Sequence, residues 1–454
     1  MFSSLTERNY RLFAGGQVIS NIGTWMQRVA QDWLVLQLSG HNPLSLGIAA
    51  ALQFAPTLVL SLWAGMLADR LDKRKLLVFV QAGMGLCGLV LGVLDVAGLA
   101  ALWQVYLLCF VLGCFSSMDS PIRQSFVSEM VGRKQVTNAV ALNSMTFNLA
   151  RIVGPAVAGV MITAIGTGWV FLINAGSFIA VIAGLLLMNP KQLYVTTKVP
   201  RERGQLAEGA RYVRGRPDIV LVLALLFCVA TFGMVFFTTL ATVAVNVFHR
   251  SATGYGLLST MLAIGTLAGA TMAARRSTRG SRPGRKLLVA SALAFGVLET
   301  ALSFMPSYLT FALLLIPVGG AVMTFTTTAN STVQLSVSPE MRGRVMGLYM
   351  LVFLGGNPIA GPLTGWLSVE FGGRSPFLFG GVVSLLAAIV CGLIMFRRGD
   401  HRLPTPSWTG WVGRIRRTRP EAAVGPATEL AAEVVAEVPA GLIEEDALPA
   451  LRAD

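Results

Sequence analysis

Long apolar blocks separated by short polar loops run along the chain as far as position 396. A helix needs roughly 20 mostly apolar residues to cross a membrane, and the blocks reach that length repeatedly. The pattern predicts twelve spanning helices, in which internal proline and glycine are tolerated because neighbouring helices satisfy the freed backbone groups. The expected ranges are 12–38, 44–68, 76–95, 101–119, 137–162, 169–188, 218–245, 255–274, 287–305, 309–333, 345–369 and 377–396.

The composition agrees with this pattern and excludes a soluble protein. Hydrophobic residues make up 54% of the 454 residues and charged residues only 13%, whereas a soluble chain of this length needs more charge to cover its surface. The five cysteines lie inside apolar blocks, the three histidines lie in loops, and neither set has metal-ligand spacing. The sequence also lacks the GxxxxGK[ST] loop of ATP-driven motors. We therefore expect no enzyme, metal site or cofactor.

Lysine and arginine concentrate in alternate loops, which fixes the expected orientation. With the N-terminus in the cytoplasm, the inside loops hold Arg123 and most other basic residues, and only Arg250 and Arg374 fall in outside loops. This asymmetry follows the positive-inside rule and predicts that both termini are cytoplasmic. The net charge of +14 then faces anionic lipid and not a nucleic acid.

Three motifs recur in the same order in the two halves of the chain. Arg-Lys-Leu-Leu-Val at 74–78 returns at 285–289, and Glu-Met-x-Gly-Arg at 129–133 returns at 340–344, both at an offset of 211 positions. Gly-Pro at 154–155, followed by Gly159, returns at 361–362 with Gly365. The repeats predict two six-helix bundles with the same topology.

The duplication and the polar segments together give the expected domain boundaries. The first bundle covers 1–188, a cytoplasmic linker covers 189–217, and the second bundle covers 218–396. The linker contains a short amphipathic helix from Gln205 to Arg214. The tail at 397–454 begins with an interfacial helix near Trp408 and is otherwise mostly disordered.

The segment 65–74 reads Gly-Met-Leu-Ala-Asp-Arg-Leu-Asp-Lys-Arg and follows the second predicted span. It resembles the loop signature of the major facilitator superfamily, G-x-L-A-D-R-x-G-R-R, with Asp72 where the family has glycine. The resemblance covers roughly residues 5–396. It implies an all-α membrane protein with twelve transmembrane helices in two pseudo-symmetric bundles. The matching residues, which the resemblance assigns to a gating loop that latches near Arg344, are Gly65, Asp69, Arg70, Lys73 and Arg74.

The fifth predicted span looks like the Gly-Pro signature of the superfamily's exporters. Gly154, Pro155 and Gly159 match it, although two further expected glycines are Ala150 and Ala158. Together with Trp-Met-Gln at 25–27 and Asn-Ala-Val-Ala-Leu-Asn-Ser at 138–144, this most resembles bacterial multidrug and enterobactin-type exporters. Helix packing alone explains the small residues equally well. The fourth predicted span contains no arginine, so the coupling arginine of the superfamily's antiporters is not carried over.

Polar residues follow one face of the first predicted span and one face of the fifth. A charge at mid-bilayer costs about 2.5–3.5 kcal/mol on insertion scales, so these faces must meet a cavity or each other. Arg28 and Asp32 are four residues apart and can neutralise each other, which leaves packing as an alternative role. The residues predicted to bind substrate or protons are Asp32, Arg28, Gln31, Asn21, Asn148 and Arg151.

Taken together, the resemblance implies a proton-coupled antiporter that effluxes amphipathic small molecules, either drug-like or siderophore-like. It would act as a monomer in the lipid bilayer of a bacterial inner membrane. An importer of a polar nutrient and a non-transporting receptor or scaffold remain as alternatives. Asp32 is the expected proton site, and Glu299 in the ninth span is a second carboxylate, expected near the outer interface. The phenylalanines of the seventh span either wall the site or face lipid; they are Phe227, Phe232, Phe236 and Phe237.

Overall fold

The computed structural model describes residues 3–194, 205–278 and 284–397, except for the side chains at 61–70, 133–134, 205–206 and 277–278. Helices account for nearly all of these residues, and no strand occurs among them. The short amphipathic helix expected in the linker is present as Gln205–Arg214. The tail helix expected near Trp408 lies outside the described residues.

Twelve spans confirm the predicted membrane architecture in the described part of the chain. In chain order, spans 1 to 12 are Arg8–Leu38, Pro43–Arg70, Lys73–Val96, Leu102–Gly132, Gln135–Ile165, Thr167–Leu186, Pro217–Val247, Ala252–Thr278, Arg285–Leu302, Tyr308–Ser336, Pro339–Phe371 and Ser375–Arg397. The odd-numbered spans begin at what we call the basic end, which carries Lys73, Arg216 and Arg285. We call the other end the distal end.

Ten of the twelve spans are long and apolar enough to cross a membrane by composition alone, as judged on the described residues. The other two are span 1 and span 9. Span 1 holds Arg28 and Asp32 within its length, and span 9 holds Glu299. Polar residues of this kind are viable in a membrane only where they face protein or a water-filled cavity. The two spans therefore depend on their helical neighbours more than the other ten do.

Span 4 is longer than the sequence predicts. It continues past 119 to Gly132 and includes Asp119 and Arg123, so the expectation that it contains no arginine is wrong. The two charges stand one helical turn apart and form an ion pair at 3.3 Å, and Arg123 also donates to Gln17 Oε1 at 2.9 Å. These partners allow the helix to continue through residues that resemble a loop in the sequence. The helix ends at Gly132, whose φ of 67° is accessible to glycine without strain.

Spans 7 and 11 are not regular α-helices along their whole length. Span 7 begins as the α-helix Pro217–Cys228, continues through the π-helical turns of Val229–Gly233, and then forms a short α-helix, Phe236–Thr242. A second π-helical segment, Val243–Val247, ends it. Span 11 is divided into Pro339–Gly355 and Asn357–Phe371. Such interruptions are frequent at functional sites, where they change the direction of side chains.

The two halves meet through small residues near the distal end. A Cβ atom added to Gly159 of span 5 would lie 2.8 Å from the carbonyl oxygen of Ala252 in span 8. Similarly, a Cβ atom on Gly361 of span 11 would lie 2.6 Å from the carbonyl oxygen of Gly47 in span 2. Neither position has room for a larger side chain, which is typical of close helix packing in membranes.

Both contacts join the second span of one half to the fifth span of the other, as a pseudo-two-fold axis requires. The turns after the first span of each half also correspond. His41 and His249 lie in these turns and have φ values of 66° and 50°, respectively. They are the non-glycine residues with positive φ in the described ranges. The observed symmetry agrees with the repeats in the sequence.

Three basic residues at the basic end have ionic or hydrogen-bond partners within their own half or on the linker helix: Lys73, Arg74 and Arg344. Lys73 Nζ lies 2.6 Å from Glu129 Oε1 at the end of span 4. Arg74 donates to the carbonyl oxygens of Leu185 and Leu186, at 2.6 and 2.7 Å, and so caps the C-terminus of span 6. The loop between spans 2 and 3 is thereby anchored on its own half.

The linker helix makes the corresponding contact on the second half. Glu208 forms an ion pair with Arg344 in the first turns of span 11. Gly209 packs against the same residue, since a Cβ atom there would lie 3.2 Å from the Arg344 backbone. The residue predicted to receive the latch is therefore paired with the linker in this conformation.

Asp72 takes the place of the family's glycine and caps span 3. Its Oδ1 accepts hydrogen bonds from the backbone N–H groups of Arg74 and Lys75, at 2.9 and 3.2 Å. We expect Asp72→Ala to lower the stability by about 1 kcal/mol, because it removes the N-cap acceptor. The measurement is thermal unfolding of the purified protein in detergent. Asp72→Asn keeps a hydrogen-bond acceptor and should lose much less stability. Equal losses of stability in the two variants would contradict the capping role.

Candidate substrate cavity

A cavity of about 650 Å³ lies between spans 1, 2, 3, 4 and 6 of the first half and the basic half of span 11. It reaches from Arg28 near the middle of span 1 to Gln124 near the basic end of span 4. Gln124 and Met350 on its wall are exposed, so the cavity is open toward the basic end. Its volume is within the range of sites that enclose drug-sized ligands. The polar residues on its wall are Thr24, Gln27, Arg28, Gln31, Gln53, Thr57, Ser116, Ser117, Ser120, Gln124 and Asn174.

The distal end is closed by hydrogen bonds as well as by small-residue packing. Thr253 of span 8 donates to the carbonyl oxygen of Gly159 at 3.0 Å, and Asn246 of span 7 donates to that of His41 at 3.0 Å. Both bonds cross between the halves. Together with the packing of spans 2, 5, 8 and 11, they separate the cavity from the distal end.

Arg28 projects its guanidinium group between aromatic rings of the two halves. Its Cζ lies 4.9 Å from the ring centroid of Phe54 in span 2 and 4.4 Å from that of Phe237 in span 7. Cation–π contacts of this kind are strong where water is excluded. The structure shows no ion pair within 4 Å between Arg28 and Asp32, both of which it describes. The direct neutralisation considered from their spacing is therefore not observed.

Asp32 has a different partner, on the other half of the protein. The hydroxyl group of Tyr255 in span 8 donates to Asp32 Oδ2 at 2.7 Å, and both side chains are buried. Asp32 does not belong to the cavity wall. It lies behind Arg28 and Gln31, at the point where span 1 meets span 8. Its hydrogen bond thus links the halves on the closed side of the cavity.

Amide side chains form the polar floor of the cavity beside Arg28. Gln31 donates to Gln53 Oε1 at 3.1 Å, and Gln27 accepts a hydrogen bond from Asn174. Of these four, only Gln31 was selected from the sequence. Gln53 and Asn174 stand alone in apolar spans, and Gln27 lies off the polar face of span 1. A single amide inside an otherwise apolar predicted span was the sequence signal by which Gln53 and Asn174 could have been found.

The other residues predicted to bind substrate or protons lie away from the cavity wall. Arg151 stacks on Trp25, with its Cζ 5.7 Å from the ring centroid, in a narrow gap between the halves. Asn21 is buried, and its Nδ2 has no hydrogen-bond partner. Asn148 donates to the carbonyl oxygen of Ser144 in its own helix at 2.8 Å. The structure brings Arg28 and Gln31 into the cavity and Asp32 directly behind it.

The Gly-Pro motif occupies a structural position outside the described wall of the cavity. Gly65, Asp69 and Arg70 belong to span 2, but their side chains lie outside the described residues. A Cβ atom on Gly154 would lie 2.5 Å from Trp25 Cβ, so this glycine packs span 5 on span 1. Pro155, one residue further, is buried.

The aromatic residues of span 7 divide between two environments. Phe237 contacts Arg28 and lies 5.5 Å from Trp25, measured between ring centroids. Phe236 packs inside the second half against Phe295 and Phe377. None of the phenylalanines of span 7 belongs to the described wall of the main cavity. Phe237 is thus the member of the predicted aromatic set that reaches Arg28.

Glu299 lies three residues before the distal end of span 9, and its side chain is buried inside the second half. Only 2% of its surface is exposed, and its Oε2 has no hydrogen-bond partner. Span 7 and span 12 enclose it: Cβ atoms on Gly233 and Gly380 would lie 2.8 and 3.0 Å from its carboxylate oxygens. In the described ranges no group of His, Cys, Asp or Glu side chains could hold a metal ion.

Residues 1–411 match the family described as transmembrane secretion effector, which covers the whole set of spans and the cavity. The chain belongs to this family of major facilitator transporters. The resemblance inferred from the loop and the Gly-Pro motif is confirmed. The chain is thus a multi-pass membrane transporter and not an enzyme.

Curated relatives of this transporter are 27–29% identical to it over the residues that align. The staphyloferrin A transporter of Staphylococcus aureus is 29% identical over 56% of this chain and 64% of its own length. The enterobactin exporter EntS of Citrobacter koseri is 27% identical over 81% of this chain and 86% of its own. The multidrug efflux pump Tap of Mycolicibacterium fortuitum is 27% identical over 84% of this chain and 93% of its own.

A solved transporter structure shows the same fold. It is a bacterial homolog of the human lysosomal transporter Spinster in an inward-facing, occupied conformation. The TM-score is 0.66 at 17% sequence identity, over 88% of this chain and 99% of that one. The twelve-span arrangement described above is therefore that of the major facilitator fold.

The bond between Tyr255 and Asp32 should stabilise the closed distal end. A hydrogen bond to a charged group contributes about 1.5–3 kcal/mol, so Tyr255→Phe should shift the ratio of distally open to closed molecules by roughly tenfold or more. Nitroxide labels on Leu99→Cys and Phe304→Cys, both exposed at the distal end, report the opening as a longer spin–spin distance.

Tyr308→Phe is the matched control for this experiment. Its hydroxyl group donates at 2.8 Å to the carbonyl oxygen of Gly254, within the second half. Losing that bond should not separate the halves. If both variants opened equally, or neither did, the bond between Tyr255 and Asp32 would have no role in closure.

Proposed function

We propose that this transporter exports amphipathic small molecules across the bacterial inner membrane by alternating access, driven by the proton gradient. The observation that carries the proposal is the cavity between the halves, open at the basic end and closed at the distal end. The concentration of Lys and Arg at the basic end supports its placement in the cytoplasm, with both termini on that side. The cavity would then load from the cytoplasm.

Transport requires the closed end and the open end to exchange. The distal contacts involve small residues and a few hydrogen bonds, so the halves can separate there at low cost. Closure of the other end would bring the start of span 11 toward the loop between spans 2 and 3. Asp69 and Arg70, at the end of span 2 beside that loop, would form the latch. Arg344, now paired with Glu208 of the linker helix, would then lie close to the loop.

The names of the relatives support both the direction and the cargo. Two of the three are named as an exporter or an efflux pump, and their named cargoes are a siderophore and multiple drugs. The third is named for a second siderophore. The mixed amide and apolar wall of the cavity suits molecules of that amphipathic character.

Inside-out membrane vesicles containing the protein test the proposal directly. When respiration acidifies the vesicle interior, we expect accumulation of at least one dye from a panel of ethidium, rhodamine 6G and dansylglycine. Addition of nigericin, which collapses the pH gradient, should abolish the accumulation. Vesicles without the protein are the control. If the dyes accumulate equally in control vesicles, or after nigericin, the proposal of a proton-coupled exporter is wrong.

Asp32 is placed to couple protons to the movement of the halves. In the present conformation it is buried and bonded to Tyr255. Opening of the distal end would break this bond and expose the carboxylate to the outside, where protons are abundant in an energised cell. Burial favours the neutral form of a carboxyl group, and a nearby arginine favours the charged form. The protonation state can therefore change with the conformation.

We expect Asp32→Asn to abolish accumulation against a gradient while leaving downhill exchange of the dye measurable. The asparagine keeps the size of the side chain and a hydrogen-bond acceptor for Tyr255, but it cannot release a proton. The measurement compares uphill and downhill dye flux in proteoliposomes. Glu299→Gln is the matched control, because it neutralises a carboxyl group that is buried in the second half, away from Asp32. If Asp32→Asn still transported the dye uphill and Glu299→Gln did not, the coupling would be assigned to Glu299 instead.

A further inference from the structure

Arg28 is the one charged residue on the described wall of the cavity. The remaining wall consists of amide, hydroxyl, apolar and aromatic side chains. Asp32, its nearest carboxylate along the helix, lies outside the wall and is bonded to Tyr255. A molecule in the cavity therefore meets a positive charge that no protein carboxylate within 4 Å compensates in the described part of the chain.

The geometry around the guanidinium group leaves its edge available to a ligand. Phe54 and Phe237 contribute aromatic contacts at 4.9 and 4.4 Å from its centre. Nε of Arg28 is buried and has no hydrogen-bond partner in the part of the chain that the structure describes. A guanidinium group carries five N–H donors in a planar fork that matches the two oxygens of a carboxylate. Aromatic packing holds this fork in place without using its donors.

A purely structural arginine would show a different pattern. Arg123 illustrates it: this side chain has an ion pair with Asp119 and donates a hydrogen bond to Gln17. Arg28 is partly buried on the cavity wall and has no ion pair or hydrogen bond of this kind among the described residues, and a charge without a partner in such a site is costly. An anion in the cavity would remove that cost, whereas a cation would increase it.

We infer that the transported molecule is anionic and that Arg28 selects it by binding a carboxylate, or a similar pair of negative oxygens, through the edge of its guanidinium group. The inference rests on the proposed export function and specifies its cargo. The amide pair of Gln31 and Gln53 supplies further hydrogen bonds beside the charge. Leu58, Leu351 and Leu354 supply the apolar wall. The cargo is thus an oxygen-rich amphipathic anion, and cations are disfavoured.

Three dansyl probes that differ in charge at one position test the inference. Dansylglycine is an anion, its amide is neutral, and dansyl-ethylenediamine is a cation. Binding to the purified protein in lipid nanodiscs is measured by dansyl fluorescence. The wild type should bind dansylglycine at least tenfold more tightly than dansyl-ethylenediamine. Equal affinities, a preference for the cation, or no binding of dansylglycine would overturn the inference.

Substitutions then assign the selectivity to a residue. Arg28→Gln should lower the affinity for dansylglycine at least tenfold and change the affinity for the neutral amide less than twofold. Arg28→Lys keeps the charge but not the planar fork, so its loss of affinity for dansylglycine should be smaller than that of Arg28→Gln. Arg250→Gln removes an arginine that also stacks on an aromatic ring, Tyr308, but lies outside the cavity wall; its probe affinities should equal those of the wild type. If Arg28→Gln lowered the affinity for all three probes equally, Arg28 would have only a packing role and would not select anions.

The binding assay is independent of the export assay, so the two failures can be told apart. Efflux of a cationic dye, with no anion preference in binding, would reject the anionic cargo and leave the exporter intact. Binding of dansylglycine that requires Arg28, with no transport of the bound probe in either direction, would reject the exporter and keep the anion site. Gel filtration and thermal unfolding of each variant exclude misfolding as the cause of a loss.

Discussion

Water is absent from the hydrocarbon core of a membrane, so a polar side chain within a span is costly unless it has a partner inside the protein or faces a water-filled cavity. Span 1 concentrates this requirement, because Gln17, Gln27, Gln31 and Asp32 are buried along it. The surrounding spans supply the partners: Arg123 from span 4, Asn174 from span 6, Gln53 from span 2 and Tyr255 from span 8. The cavity lies where this polar face meets the second half. Its position follows from the cost of leaving polar groups in lipid.

The contacts between the halves are strong enough to close one end and weak enough to be reversed. Glycines bring the backbones of spans 2 and 11, and of spans 5 and 8, into direct contact. These glycine contacts depend on shape and involve no buried charge, so separating them leaves no charged group without its partner. By contrast, the loop after span 2 is anchored on its own half by Lys73 and Arg74. Each half can therefore move as a unit while the glycine contacts open.

Hydropathy and repeats predicted the twelve spans, their order and the symmetry, because those features depend on local composition and its period. The end of span 4 was missed, since Asp119 and Arg123 resemble a loop until their ion pair and the contact with Gln17 are known. The polar face of span 1 identified Arg28, Gln31 and Asp32. The sequence could not show that Arg28 and Asp32 have separate partners. Those partners depend on helix rotation and on residues more than 200 positions away, such as Tyr255.

Asp32 and Glu299 are both buried, and they differ in what movement of the halves does to them. Glu299 is enclosed by spans 7 and 12 of its own half, near Gly233 and Gly380. When the halves rock as units, those neighbours move with it and its surroundings stay the same. Asp32 is bonded to a residue of the opposite half, so its surroundings must change whenever the distal end opens. A coupling group has to respond differently in the two states, and of these two carboxyl groups Asp32, at the junction of the halves, meets that condition. This favours Asp32 over the more deeply buried Glu299.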